Sequence, residues 1–257
     1  MTKILLLSML LVAVPAGAPL ASAAEVKDEL EYLRREVYHL RQEIAELKAM
    51  LKQVLAAQGA RVPPTPVPKT VTVPVDGFPS LGRADAPLTL VEFSSYQCGI
   101  CKQHHGSVLP KLKAEYVDTG KVRYVFRDLP LRSEPNAPAA ASAAHCAGAQ
   151  GRYWEMHDAL FKQQHDLSVE ALKSQAQALG LDASKFSACL EGGTFAATVE
   201  RGVADAQAAG FRGTPSFVVG PTAANGIAIT GVRVIGAQSF AVFKQVIEQE
   251  LERLSSK

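Results

Sequence analysis

Between residues 26 and 54 the apolar positions alternate by three and four. Val26, Leu33, Leu40, Leu47 and Val54 take position d of a heptad, and Leu30, Val37, Ile44 and Leu51 take position a. Glu29, Glu36 and Glu43 fall at g, and Lys27, Arg34, Arg41 and Lys48 fall at e. In a parallel pair, Glu29 meets Arg34 of the other copy, Glu36 meets Arg41 and Glu43 meets Lys48. A helix packed on its own domain shows a wider apolar stripe than a and d alone. Residues 24–57 are therefore predicted to be a coiled-coil oligomerisation helix. β-Branched residues at two a positions with Leu mostly at d favour a parallel homodimer; with no Asn in the seam, a trimer is also compatible.

The periodicity stops at residue 58. Pro63, Pro64, Pro66, Pro68 and Pro74 deny residues 58–79 both helix and sheet interior, which predicts a semi-extended linker. From Ser80 onward the pattern is that of an α/β domain. Residues 88–93 are apolar on both faces, as in a central strand. A helix follows from Cys98 to about Val117, then a strand with Val122, Tyr124 and Phe126 in alternation. Strand, helix, strand is a crossover unit, so the two strands should run parallel. Residues 136–209 read almost entirely as helix, within a helical insertion of about 133–211, with Ser168, Asp182 and Thr194 as N-caps. A strand at 216–219, a second at 232–235 in a hairpin with it, and a last helix after Gln238 or Ser239 complete the pattern.

Composition narrows the function classes. A formal net charge of +2 over 257 residues gives no reason to expect a nucleic-acid partner. Lys3, the apolar run 4–14 and Ala21-Ser22-Ala23 form a charged end, a short hydrophobic core and a small-residue cleavage site. Residues 1–23 are read as a cleaved signal peptide, placing the mature chain in the periplasm or outside the cell. The apolar run is too short to span a bilayer. Four cysteines is an even count, compatible with an oxidising compartment.

Two of those cysteines carry the chemistry. Cys98-Gly99-Ile100-Cys101 stands where a strand delivers the chain to a helix N-terminus. Free N–H groups and the positive end of the helix dipole stabilise a thiolate there. Two intervening residues let the sulfurs close a small disulfide, so the pattern reads as a thiol–disulfide redox site. The competing reading is half of a zinc site, but His104 and His105 on the same helix would make a cramped ligand set. No metal site and no cofactor are called for. Gly99 and Ile100 add neither charge nor a hydrogen-bonding side chain, which predicts an activated Cys98 but a mild oxidant.

Three supporting positions stand out. Glu92 shares a strand face with Leu88 and Leu90, where burial penalises its charged form; it is either a general base for Cys101 or a structural ion-pair member. Pro215 opens an apolar strand, either as an ordinary trans residue or with a cis bond that presents the Thr214 backbone to the sulfurs and to an extended substrate. Cys146 and Cys189 lie in the helical block and read as a structural disulfide, two buried thiols, or a second redox pair. His39, His104, His105, His145, His157 and His165 are taken as surface or core residues without a ligand role.

The chain from Ser80 to its C-terminus resembles DsbA-type proteins of the thioredoxin fold. The resemblance rests on Gly82-Arg83-Ala84-Asp85-Ala86-Pro87, Val91-Glu92-Phe93 before the Cys-Gly-Ile-Cys run, Arg127-Asp128-Leu129-Pro130, the segment from Trp154 to Phe161, and Gly213-Thr214-Pro215-Ser216-Phe217. It implies a thioredoxin-like fold with a helical insertion, Cys98 as the attacking and Cys101 as the resolving cysteine, a cis Pro215 and Glu92 as the buried acid. It also implies a Cys146–Cys189 disulfide, exported protein substrates and a membrane redox partner. Gly99 and Ile100 depart from the Cys-Pro-His-Cys of the strong oxidases, while Gly99 after the first cysteine and Thr214 before the proline resemble periplasmic disulfide isomerases instead. The expected activity is thiol–disulfide exchange, as an oxidase or as an oligomeric isomerase or reductase. A reading of another class is a non-enzymatic coiled-coil scaffold, holdase or copper-binding protein.

Overall fold

Strand β3 (Leu88–Ser94) is buried along its whole length because it has a strand on either side and a core on each face. The computed structural model describes residues 31–44, 46, 48, 50 and 70–256. The proposed signal peptide, heptad positions Val26, Leu30, Leu47, Leu51 and Val54, and the first part of the linker lie outside the described residues.

The chain divides into two units, residues 1–65 and 66–257. In the first, residues 31–44 form a helix, α1, whose turn continues at 46, 48 and 50. The a and d residues Leu33, Val37, Leu40 and Ile44 are all exposed in the single chain.

The second unit is built on a six-stranded sheet whose order is β1 (Thr70–Pro74), β6 (Ala228–Ile235), β5 (Ser216–Pro221), β3, β4 (Val122–Asp128) and β2 (Ser80–Leu81). β3 and β4 (Val122–Asp128) run parallel, as the crossover requires. β5 (Ser216–Pro221) pairs antiparallel with β3 and with β6 (Ala228–Ile235). Side chains alternate across β3: Leu88 and Leu90 join one core, while Val91 and Phe93 join the other.

The larger core packs this sheet face under α2 (Gly99–Ser107), α3 (Leu109–Leu112), the π-helical turn Lys113–Val117 and α9 (Phe240–Ser255). It continues into α4 (Ala137–Gly148), α5 (Tyr153–Lys162), α6 (Val169–Ala178) and α7 (Ala183–Glu191). On the other face, α8 (Ala196–Ala208) supplies Val203 and Ala206. Gly202 is what lets α8 approach: a Cβ there would sit 2.4 Å from the Asp128 carbonyl oxygen. The helix that begins at Cys98 is not continuous to Val117. It breaks at Val108, ahead of Pro110, and its last turn is wound as a π-helix.

One boundary is corrected. Residues 70–79 are not linker: Thr70–Pro74 forms β1, paired antiparallel with β6, and Val73, Val75 and Phe78 are buried. Pro74 is tolerated because β1 is the edge strand. Its carbonyl accepts a 2.6 Å hydrogen bond from Arg127, a fully buried guanidinium paired with Asp205 and stacked 3.4 Å from the Phe78 ring. A second, smaller correction concerns Thr194: the N-cap of α8 is Phe195, whereas Ser168 and Asp182 cap α6 and α7 through their side chains.

Candidate active site

The sheet register determines what meets the two cysteines. β3 and β5 are antiparallel with Phe93 opposite Ser216, so the residues leaving the end of β3 face those entering β5. That brings Thr214 and Pro215 beside Cys98 although 116 positions separate Cys98 from Thr214. The Thr214–Pro215 peptide bond is cis.

Cys98 is the N-cap of α2, with extended backbone dihedrals, and its Sγ accepts the Cys101 backbone N–H at 3.3 Å. The helix thus begins by aiming an otherwise unpaired donor at the sulfur. The Cys98 thiol is lowered to about 6. The Cys101 thiol contributes most, as a hydrogen-bond donor to the Cys98 sulfur, and outweighs the opposing effect of partial burial. Thr214 acts in two directions. Its carbonyl oxygen, 3.8 Å away, accepts from the Cys98 thiol and favours the protonated form. Its hydroxyl, which has no other hydrogen-bond partner, favours the thiolate. The thiolate prevails because its donors outnumber that single long contact.

Cys101 is the opposite case. It is buried, and burial pushes its thiol far up, with the neighbouring Cys98 sulfur adding to the effect. Both cysteines are free thiols in this structure. The pair therefore consists of an accessible thiolate and a buried thiol.

The loop carrying Cys98 is held to the helical block from several directions. Gln164 donates to the Tyr96 carbonyl at 2.7 Å and to the Cys98 carbonyl at 2.8 Å. The Ser95 hydroxyl donates to Glu134 at 2.6 Å, and the Asn136 N–H donates to the Gln97 side chain at 2.9 Å. Gly99 has open space where a Cβ would project, and Ile100 is exposed, so the two residues between the cysteines leave Cys98 unobstructed on that side.

Glu92 is buried and lies opposite Phe126 on β4 and Phe217 on β5. The Tyr124 hydroxyl donates to its Oε2 at 2.8 Å. Oε2 is 3.6 Å from His104 Nε2, beyond hydrogen-bond reach. Burial holds His104 below its ordinary value, against the pull of the Glu92 carboxylate. The contacts of Glu92 are to Tyr124 and His104 rather than to the Cys101 sulfur.

Sequence reasoning did not single out Tyr124, Gln164 or His104 for the site. The alternation of β4 exposed Tyr124 only as an inward residue, and nothing local marks Gln164 as a partner of the loop. Away from the cysteine pair, Cys146 and Cys189 are joined by a disulfide that links α4 to α7. His145, next to Cys146, pairs at 2.7 Å with the buried Asp128 at the end of β4.

The fold agrees with that of known proteins. A thioredoxin family model matches residues 76–249. The structure is similar to that of α-DsbA1 from Wolbachia pipientis, with a TM-score of 0.61, 26% identity, and 70% of this chain and 94% of that one covered. It is similar to a thioredoxin-like oxidoreductase from Silicibacter pomeroyi DSS-3, with a TM-score of 0.58, 28% identity, and 69% and 94% covered. BdbD from Bacillus subtilis shares the fold at a TM-score of 0.64 and 24% identity, with 72% and 98% covered. A 138-residue stretch is 41% identical to part of the Na(+)/H(+) antiporter NhaA of Herminiimonas arsenicoxydans. The match takes in 54% of this chain but only 21% of that protein, so the chain spans about a fifth of the length of this curated relative. Among the described residues, no helix is long and apolar enough to cross a membrane. With a family match across most of the chain and DsbA-type neighbours for its fold, the chain belongs to the thioredoxin family, as a DsbA-like member.

Proposed function

We propose that this protein is a thiol–disulfide oxidoreductase that exchanges disulfides with exported proteins through Cys98 and Cys101. The observation that carries this reading is the asymmetry of the pair: Cys98 is partly accessible and lowered to about 6, whereas Cys101 is buried with its thiol pushed far up. A pair so arranged gives exchange a direction in space. When the pair is a disulfide, a substrate thiolate attacks Cys98 Sγ and the Cys98–Cys101 bond breaks, leaving Cys101 as the thiolate that then takes a proton. A second substrate thiolate attacks the substrate sulfur of the mixed disulfide. Cys98 departs as a stabilised thiolate, the substrate gains a disulfide, and the two electrons remain on Cys98 and Cys101. Run in reverse from the reduced pair, the same steps open a substrate disulfide.

Thr214 and the cis Pro215 would offer backbone to an extended substrate beside Cys98. Glu92 is the proposed buried acid for the Cys101 proton. Since its contacts are to Tyr124 and His104, it acts through an intervening water or group rather than by direct contact.

The N-terminal pattern supports export to the periplasm or beyond, and a membrane redox protein is the expected partner that resets the cysteines. The exposed residues Leu33, Val37, Leu40 and Ile44, flanked by the complementary pairs Glu36–Arg41 and Glu43–Lys48, support oligomerisation through residues 26–54, as a parallel dimer or trimer. The direction of exchange has a second reading. The two residues between the cysteines offer no charged or hydrogen-bonding side chain, since Gly99 is bare and Ile100 is an exposed aliphatic residue; together with the oligomerisation seam, this favours isomerase or reductase use.

The test is turnover of a reduced, unfolded disulfide protein by the mature chain. Cys98→Ser should abolish exchange, and Cys101→Ser should accumulate a mixed disulfide at Cys98, visible on a non-reducing gel. Undiminished activity in Cys98→Ser would overturn the reading and leave the scaffold, holdase or copper-binding alternatives. Equilibration with glutathione separates the directions: about −120 mV would mark a dithiol oxidase, and a value well below about −180 mV an isomerase or reductase.

A further inference from the structure

Apart from the cysteine pair, three side chains with metal-ligating atoms converge between α2 and α5. They are His105 on α2 and His157 and Asp158 on α5, and one ligand atom from each lies within 4.8 Å of the other two. All three line a cavity of about 300 Å³, whose walls also include Leu81, Lys113 and Trp154.

The state of His157 makes this more than a chance meeting. The residue is 1% exposed. Nδ1 lies 2.9 Å from the Tyr96 hydroxyl, yet Nε2 is buried with no hydrogen-bond partner among the described residues. Buried polar atoms are nearly always satisfied, so an orphaned imidazole nitrogen on a cavity wall calls for a missing partner. A metal-bound histidine characteristically gives its other ring nitrogen to a hydrogen-bonding group. Tyr96 fills that role here: with Nδ1–H donating to the Tyr96 oxygen, Nε2 presents a lone pair. His105 likewise has a buried Nδ1 without a partner, while its Nε2 lies 3.3 Å from Asp158 Oδ1.

We propose that His105, His157 and Asp158 form a binding site for a divalent transition-metal ion of the zinc type. Two imidazoles and one carboxylate suit zinc and its neighbours rather than calcium or magnesium, which take oxygen ligands. The Asp158 side chain is about half exposed, so the fourth position opens toward water. Bonds of about 2.0–2.1 Å place tetrahedral ligand atoms roughly 3.3 Å apart, so the set must draw in around the ion. His105 and Asp158, the less buried members, are the ones free to do so. Lys113 is the charge that opposes a cation here, and Asp118 on the same cavity wall offsets it. An ion in this place would tie the helix that carries Cys98 to the helical insertion.

The site is separable from the cysteine pair, whose thiolates would compete for an added metal ion. The experiment uses the untagged mature chain with Cys98→Ser and Cys101→Ser, titrated with Zn²⁺ by calorimetry and with Co²⁺ by absorption. One ion per chain and a tetrahedral Co²⁺ spectrum are expected. In that background, His105→Gln and Asp158→Asn should each weaken binding at least about tenfold while circular dichroism stays unchanged. His157 is left intact because its ring packs among Tyr96, Phe126 and Phe161 and its loss would endanger the fold. Absence of binding in the double-serine chain, or binding unaltered by both substitutions, would overturn the proposal.

Discussion

The ionisation of Cys98 can be read directly from its alkylation rate as pH is varied. At pH 7 a thiol titrating at about 6 is about nine-tenths thiolate, whereas one at the ordinary 9.0 is about one-hundredth, a ratio of roughly 90. Each thiolate is also a weaker nucleophile when its conjugate thiol is more acidic. With a Brønsted coefficient of about 0.4–0.5, a fall from 9.0 to about 6 lowers intrinsic reactivity roughly 15–30-fold. The two effects nearly cancel, so at pH 7 Cys98 should react only about 3–6-fold faster than an ordinary cysteine. The order should reverse at about pH 7.5–8, and by about pH 10 Cys98 should be slower by nearly the full 15–30-fold or so. The assay is iodoacetamide alkylation of the reduced protein across pH 4–10, followed by mass spectrometry; Cys101, being buried, should lag. Cys101→Ala should move the half-point upward, because the Cys101 thiol is the largest contributor to the lowering. A half-point above about 8, or one indifferent to the loss of the Cys101 thiol, would refute the reasoning. Stability follows with a definite sign. The folded value of Cys98 is depressed, so its stabilisation is complete above the unfolded value of 9.0 and is lost as pH falls through about 6. The melting temperature of the reduced chain, relative to the oxidised chain, should therefore climb between pH 6 and pH 9.

Replacing both Cys146 and Cys189 by Ala should cost roughly 4 kcal/mol, since their sequence separation of 43 closes a long loop in the unfolded chain; urea unfolding of a form lacking the redox cysteines would measure it. Gly202→Ala should destabilise by about 1–3 kcal/mol or more, because the new Cβ would press on the Asp128 backbone, and a small change in melting temperature would show that α8 can shift away. Leu40→Glu, at a d position exposed in the single chain, should reduce the mass measured by light scattering to that of a monomer while leaving exchange by each catalytic unit intact.

How much of this was legible beforehand depends on the range of the interactions. The strand at 88–93 was readable because burial on both faces leaves an uninterrupted apolar run, and β3 is indeed buried throughout. The parallel β3–β4 pair followed from the handedness and length of a helical crossover. The caps Ser168 and Asp182 were readable because a cap bonds within three residues of itself. Thr194 failed as a cap because Gly192 and Gly193 let the chain turn one residue later than local propensity implied, so that Phe195 begins α8. β1 was missed altogether. Pro74 argues against a strand locally, and only pairing with β6, about 160 residues away, overrides it at the sheet edge.

The amino-acid sequence alone placed Cys98 and Cys101 at the start of a helix after a buried strand, and that is a matter of neighbouring residues and spacing. It also carried the heptad of residues 26–54, the charge balance and the candidate roles of Glu92, Thr214 and Pro215. Tertiary structure decided what those groups meet. The β3–β5 register puts Thr214 against the Cys98 sulfur, and hydrogen bonds to Cys98 together with burial of Cys101 separate the acidities of two cysteines only three positions apart. The fold also turned Glu92 toward Tyr124 and His104, and gathered His105, His157 and Asp158 around one cavity. Local sequence sets conformation through backbone dihedrals and periodicity, whereas ionisation and ligation depend on atoms brought within a few ångströms by strand order and helix packing, which no short window of the chain contains.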